Sequence, residues 1–292
     1  MLKLKNVKTD AMLLSAAFIW GLKPAMMKIG LMDMKVKDYN SARLIIAALV
    51  SWIVVLAGGG HKRIERKDIP NVFFVAVGGF FIFQWFYAIG ISKTTASGAS
   101  LIMGTVPLMV ALINKLVGHD KGGKEIYIGG VVSLLGLILV LTGAGGVGTV
   151  VRNIRGSFYI FISAAAYSIY TVFVKPLTKK YPVNQITAYC ITITAFITLG
   201  ITGFGFIKYK PTLRLVFSLV YTGAIAMYLG NFIWMWGIRK AGSIRVSIYN
   251  NVTPVFSVIA AGIILDESFT MLQLMGMIII FLGIYIGRMK KV

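Results

Sequence analysis

Apolar residues fill most of the chain in long blocks. The polar positions between them leave stretches of about 20 residues, the length of a helix that crosses a bilayer. Such blocks occupy residues 11–29, 41–57, 70–90, 94–117 and 126–143, and then 156–174, 184–205, 213–236, 241–265 and 270–287. The pattern predicts ten transmembrane helices joined by short loops. The first block follows Lys3, Lys5 and Lys8 and superficially resembles a cleavable signal. Its apolar run continues through Trp20, Pro24 and Met27, however, and reads as a retained helix.

The two sets of five blocks share one register. Pro107 and Pro254 lie 147 residues apart, and the same ungapped offset pairs Lys28 with Lys175, Gly58 with Gly205, Lys93 with Lys240 and Ser100 with Ser247. It also pairs Gly90-Ile91 with Gly237-Ile238, Gly129 with Gly276 and Gly136 with Gly283, and sets Gln84 against Asn231, Trp20 against Tyr167 and Asp120 against Glu267. Glycine coincidences are common in membrane helices, whereas lysine, proline and serine matches in one register are not. The chain therefore reads as two repeats, residues 1–145 and 146–292. Five is an odd number, so the second copy enters the bilayer from the opposite face. The expected fold is an all-α integral membrane protein of ten transmembrane helices in two inverted five-helix repeats.

Composition narrows the function classes. The chain is 58% apolar and 13% charged, against about 25% charged in an ordinary globular protein, which excludes a soluble enzyme and leaves no room for a catalytic module outside the membrane. The net charge of +21 would point to nucleic acid in a soluble protein; here it marks topology, because basic residues collect in cytoplasmic loops. With the amino terminus inside, 16 Lys and Arg fall on the inner face and nine on the outer, the other five lying within or at the edges of spans. Both termini are expected in the cytoplasm, in the plasma (inner) membrane. The single cysteine, Cys190, and the loop histidines His61 and His119 supply neither a disulfide framework nor a metal site. No Walker loop or nucleophile motif occurs, so no cofactor and no enzymatic activity are expected.

Several motifs resemble a known family. Trp20-Gly21, Tyr39-Asn40-Ser41-Ala42-Arg43, and Ala96-Ser97-Gly98-Ala99-Ser100-Leu101-Ile102 with Pro107 look like an EamA-type member of the drug/metabolite transporter superfamily. So do Arg245-Val246-Ser247-Ile248-Tyr249, Thr253-Pro254-Val255, Asp266-Glu267-Ser268 and the Gly276 and Gly283 pair. The resemblance covers nearly the whole chain. It implies a central cavity between the repeats and transport of a small metabolite, without naming the substrate. Lys23 departs from the family, standing where an uncharged residue is expected in many relatives.

Lys23 is the sharpest candidate. It lies 12 residues into the first block, roughly 18 Å deep in a core about 30 Å thick. An ammonium at that depth costs roughly 2.5 to 3.5 kcal/mol even on a lenient scale, so it faces a wet cavity or is satisfied by carbonyls and water. Pro24 beside it frees a backbone carbonyl. Tyr170 is its repeat equivalent, and with Trp20 and Tyr167 the four could frame one site. Arg245 near the inner mouth and Arg43 near the outer one are read either as anion guides or as anchors that snorkel. Asn250 and Asn251 contact a ligand or glue helices. Gln84 and Asn231 form a matched pair near opposite mouths, with Ser100 and Ser247 as another. Phe86, Tyr87, Trp234 and Trp236 line the cavity or sit in interfacial belts. Every Asp and Glu falls at a span end or in a loop, which disfavours a carboxylate proton relay.

The leading expectation is a secondary transporter of an anionic or zwitterionic small metabolite, an amino acid or organic acid, bound at the midplane. The alternatives are an exporter of organic cations, or a membrane scaffold or lipid-handling protein without solute turnover. In the scaffold reading, Gly129, Gly136, Gly276 and Gly283 form a contact between copies, and a homodimer is the expected partner arrangement.

Overall fold

The structure is a computed structural model that describes residues 7–58, 61–94, 99, 102–118, 123–143, 154–257, 259 and 270–288. Lys3, Lys5, His119, Asp120, most of the 96–102 motif and Asp266-Glu267-Ser268 lie outside the described residues.

No strand occurs among the described residues. Helix α1 spans Val7–Leu31 and α2 spans Val36–Ala57. The third block is a 3-10 turn at Arg66–Asp68, α3 at Ile69–Phe74, a π-helical stretch at Val75–Phe81 and α4 at Ile82–Lys93. Then come α5 (Val106–Val117), α6 (Lys124–Gly143), α7 (Ile154–Lys180) and α8 (Val183–Thr202). The eighth block contains α9 (Leu213–Val220), a π-helical stretch at Tyr221–Leu229 and α10 (Gly230–Ala241). α11 (Ser243–Ser247) runs into a 3-10 stretch at Ile248–Val252, and α12 covers Met271–Arg288. Among the described residues, six helical stretches are long and apolar enough to cross a membrane.

Besides the third and eighth spans with their π-helical stretches, two more of the expected spans are not continuous α-helices among the described residues. In the fourth block a turn at residues 104–105 precedes α5, which starts beside Pro107. In the ninth, the 3-10 stretch precedes Pro254. A proline has no N–H for the carbonyl four residues back, so Met103 and Asn250 lose their helical partners and the chain tightens there. The Met103 carbonyl is satisfied from the other half: Asn250 Nδ2 donates to it at 3.1 Å. The two π-helical stretches, a geometry frequent at functional sites, also fall at matching positions under the 147-residue offset.

The outer surface carries large apolar side chains such as Leu49, Ile53 and Leu56 on α2, while Arg43 and Gln84 are buried. That inside-out distribution belongs to a protein in lipid, where polar groups must find partners inside. α6 and α12 meet backbone to backbone. A Cβ on Gly136 would lie 2.7 Å from the Gly276 carbonyl, and one on Gly283 would lie 2.6 Å from the Gly129 carbonyl. These four glycines are thus used within one chain, which corrects their assignment to a contact between copies. Their lack of side chains lets the two helices approach closely.

Polar ties close the two ends. Arg214 donates to both carboxylate oxygens of Asp33, and Thr212 donates to Asp33 at 2.6 Å, joining α1 to α9. Lys180, at the end of α7, pairs with Glu65 at 2.7 Å and Asp68 at 2.5 Å. The hydrogen bonds of Arg214 and Thr212 hold the Asp33 carboxyl below its ordinary range. Those of Lys180 and Lys67 do the same for Glu65.

Candidate functional site

α1, α4, α7, α10 and the broken ninth segment surround one central cavity, with about 60 Å3 open to the centres of water molecules, room for several waters or a small organic group. α1 contributes Trp20 and Lys23, α4 contributes Phe83, Gln84 and Tyr87, and α7 contributes Tyr167. Asn231 comes from α10, and Asn250, Thr253 and Ser257 come from the ninth segment. Six of the nine sequence candidates therefore meet at one place.

Its floor is aromatic. Trp20 meets Tyr167 edge to face at 6.2 Å and Trp234 at 5.0 Å, and Phe83 packs on Tyr167 at 4.6 Å. Trp20 is fixed by a bond from its indole nitrogen to the Ala226 carbonyl at 2.9 Å. Gly230 makes room for that indole: a Cβ there would sit 2.5 Å from Trp20 Nε1. Tyr170 stacks behind Tyr167 at 6.0 Å and is fully buried, so it supports the wall without lining it.

Lys23 is 7% exposed, with its ammonium 4.5 Å from the centre of the Tyr87 ring and 5.5 Å from that of Phe83. Cation–π contacts of this kind offset part of the cost of desolvation. Among the described residues no carboxylate forms an ion pair with Lys23 or Arg43. The expectation for Arg43 at an outer mouth is corrected: it is 0% exposed and lies behind the cavity wall. It donates to Asn40 Oδ1 at 2.9 and 2.7 Å and to Gln84 Oε1 at 3.1 Å. α2 begins at Val36, so Arg43 is already two turns into the helix.

Gln84 and Asn231 face the same cavity and not opposite mouths. The reason is helix length: α4 continues to Lys93, which sets Gln84 roughly 13 Å from its end. Asn250 lines the cavity, whereas Asn251 donates to Ser133 on α6 at 2.9 Å and glues helices. Arg245 is half-buried on α11 and does not line the cavity. Ser247 bonds its own helix at Ile244, and Phe86 stacks on Tyr159. Sequence reasoning missed Phe83, Met103, Thr253 and Ser257. The last two were legible as hydroxyls one helical turn apart flanking Pro254.

Several polar atoms at or beside this wall are buried without a partner among the described residues: Tyr167 Oη, Asn231 Oδ1, Thr253 Oγ1 and Arg43 Nη1. Buried polar groups are normally satisfied, so those of Tyr167, Asn231 and Thr253, which line the cavity, are available to a ligand. Residues one offset apart also touch each other here, Trp20 with Tyr167 and Met103 with Asn250.

The model of the EamA-like transporter family matches residues 7–142 and again 154–288. The chain belongs to that family. It is 26% identical over 277 residues to an uncharacterized transporter of Archaeoglobus fulgidus, covering 93% of this chain and 95% of that one. It is 27% identical over 229 residues to the uncharacterized transporter YdfC of Bacillus subtilis, covering 77% of this chain and 73% of that one. A solved crystal structure with 17% identity superimposes with a TM-score of 0.81, covering 96% of this chain and 98% of the other, and shares the fold. This EamA-family chain is a multi-pass membrane protein of a transporter family, in contact with the lipid bilayer and a small-molecule substrate.

Proposed function

We propose that this protein is a secondary transporter of a small anionic or zwitterionic metabolite, an amino acid or organic acid, working by alternating access about the central cavity. The observation that carries this reading is the pair of buried cations, Lys23 and Arg43, with no carboxylate paired to either among the described residues. A buried charge without a counterion costs several kcal/mol, and an anionic ligand supplies the missing partner. Lys23 holds the anion. Trp20, Tyr167 and Asn250 shape the pocket, Tyr170 backs it, and Gln84 and Asn231 contribute its amides. Arg245 guides the ligand at the inner mouth. An exporter of organic cations would instead place a carboxylate at the cavity.

The inverted five-helix repeats, 1–145 and 146–292, are part of the same proposal. Under the 147-residue offset the Gly136–Gly276 contact maps onto Gly283–Gly129, so the seam is reciprocal, as a two-fold axis requires. Trp20–Tyr167 and Met103–Asn250 are contacts between a residue and its own equivalent, which occur only beside such an axis. Both observations support a cavity lying on the axis, where rocking of one half against the other alternates access. The chain sits in the plasma (inner) membrane with both termini cytoplasmic, from the charge bias of its loops.

The test is flux in proteoliposomes. Labelled amino acids and organic acids are offered with and without the same compound trapped inside. Saturable exchange that is lost in Lys23→Ala and Lys23→Gln is expected. Flux unchanged in both variants would overturn the assignment of Lys23, and the absence of any saturable flux would overturn transport of these classes.

A further inference from the structure

Three side-chain amides at the cavity are oriented by partners that leave no choice. A guanidinium has only donors, so the Gln84 atom facing Arg43 Nη2 at 3.1 Å is Oε1, and the Gln84 amide nitrogen is left for the cavity that Gln84 lines. Backbone carbonyls only accept. Asn231 Nδ2 donates to the Met227 carbonyl at 2.6 Å and Asn250 Nδ2 to the Met103 carbonyl at 3.1 Å. These bonds turn the nitrogens to the backbone and leave the oxygens free of them, and among the described residues Asn231 Oδ1 is buried with no protein partner.

Gln84 and Asn231 occupy equivalent positions under the 147-residue offset, yet they show the cavity opposite polarity. The difference lies one layer back. The equivalent of Arg43 is Cys190, a buried thiol, which cannot turn an amide as a fixed guanidinium does. The first half thus supplies donors, the Lys23 ammonium and the Gln84 NH2, and the second half supplies acceptors, Asn231 Oδ1 and Asn250 Oδ1.

We infer that Arg43 is a positioning residue for ligand binding: by fixing the Gln84 amide with its nitrogen toward the cavity, it makes the site bipolar. The ligand it selects carries an anionic acceptor group for Lys23 and Gln84 and an N–H donor for Asn231 and Asn250. This inference rests on the reading of the cavity as the substrate site and adds to it the polarity of the ligand and the residue that sets it.

The experiment measures binding to the purified full chain in detergent. The probes are alanine and phenylalanine, their deaminated counterparts propanoate and 3-phenylpropanoate, and their decarboxylated counterparts ethylamine and phenethylamine. In the unmodified protein a zwitterion is expected to bind about tenfold or more tighter than either of its counterparts. Gln84→Glu keeps an acceptor for Arg43 but removes the donor, so carboxylate probes weaken by about tenfold or more and the preference moves to the amines. In Arg43→Gln the partner of Gln84 can donate or accept, and the zwitterion loses its advantage. Arg43→Lys has donors only and restores most of it, an outcome that loss of packing alone would not give. Equal binding of anion and zwitterion would overturn the inference. So would undiminished carboxylate binding in Gln84→Glu, or an Arg43→Gln variant that melts earlier with its ligand order unchanged. Binding of none of the six probes would overturn the bipolar ligand while leaving the transport reading to the flux experiment.

Discussion

Trp20 and Tyr167 meet edge to face 6.2 Å apart at the cavity wall, and they are each other's equivalents under the 147-residue offset. A residue touches its own counterpart only where it lies close to the axis that relates the two copies. In the proposed arrangement of two inverted repeats, this contact puts the cavity beside their axis. Among the described residues, three buried polar atoms without a protein partner, Tyr167 Oη, Asn231 Oδ1 and Thr253 Oγ1, belong to side chains that line this same place.

Stability and binding are expected to part company at Lys23. The ammonium is buried over aromatic rings with no carboxylate paired to it among the described residues, so its replacement by an uncharged side chain of similar length removes a desolvation cost. Lys23→Met is expected to melt a few degrees higher than the unmodified protein and to lose stabilisation by anions. A variant that melts lower and still responds to anions would show that Lys23 serves packing.

The glycine seam between α6 and α12 leaves no volume for a side chain. Gly136→Leu places atoms where the Gly276 carbonyl already lies 2.7 Å from a Cβ, and overpacking of this kind costs on the order of 1–3 kcal/mol or more. The expected result is early aggregation on size-exclusion chromatography and a lowered melting point. Because the seam is inside one chain, a mild variant such as Gly276→Ala is expected to lower the melting point without changing the number of chains per particle.

Acid should loosen the two ends before the middle. Asp33 is held below its ordinary range first by its hydrogen bond from Arg214, and Glu65 first by its hydrogen bond from Lys180. Both carboxyls have lower values folded than unfolded. The stability they contribute is thus full above the unfolded values of about 4 and is lost as pH falls through the folded ones. Melting points measured from pH 6 to pH 3 should fall below about pH 4. The drop should be smaller in the double variant Asp33→Asn with Glu65→Gln. An equal drop in both proteins would assign acid sensitivity to other groups.

Much of this architecture was legible in the sequence, because block length and the 147-residue register are set by physics that acts along one chain. The π-helical stretches were not legible, and the break before Pro254 was only partly so. Proline announces a lost hydrogen bond, but not that Asn250 from the other half satisfies the Met103 carbonyl freed by Pro107. At the site, Lys23 declared itself by the cost of its depth. The apolar run starts at residue 41 and hides the depth of Arg43, because α2 starts five residues before that run. The true setting of Arg43 depends on Asn40 beside it and on Gln84 from another helix, a long-range pairing no local pattern encodes. Hydroxyls such as those of Thr253 and Ser257 carry little signal in a sequence, since hydroxyls in membrane helices usually bond their own backbone.

The most direct test of the central claim is the melting point of the purified protein in detergent against carboxylates, amino acids, sugar phosphates and organic cations, with Lys23→Gln measured alongside. A ligand that binds the folded state raises the melting point by mass action, whatever the direction of transport. The buried-cation site predicts a rise with carboxylate- or phosphate-bearing compounds that disappears in Lys23→Gln. A rise with organic cations alone, or one that persists in Lys23→Gln, would contradict it.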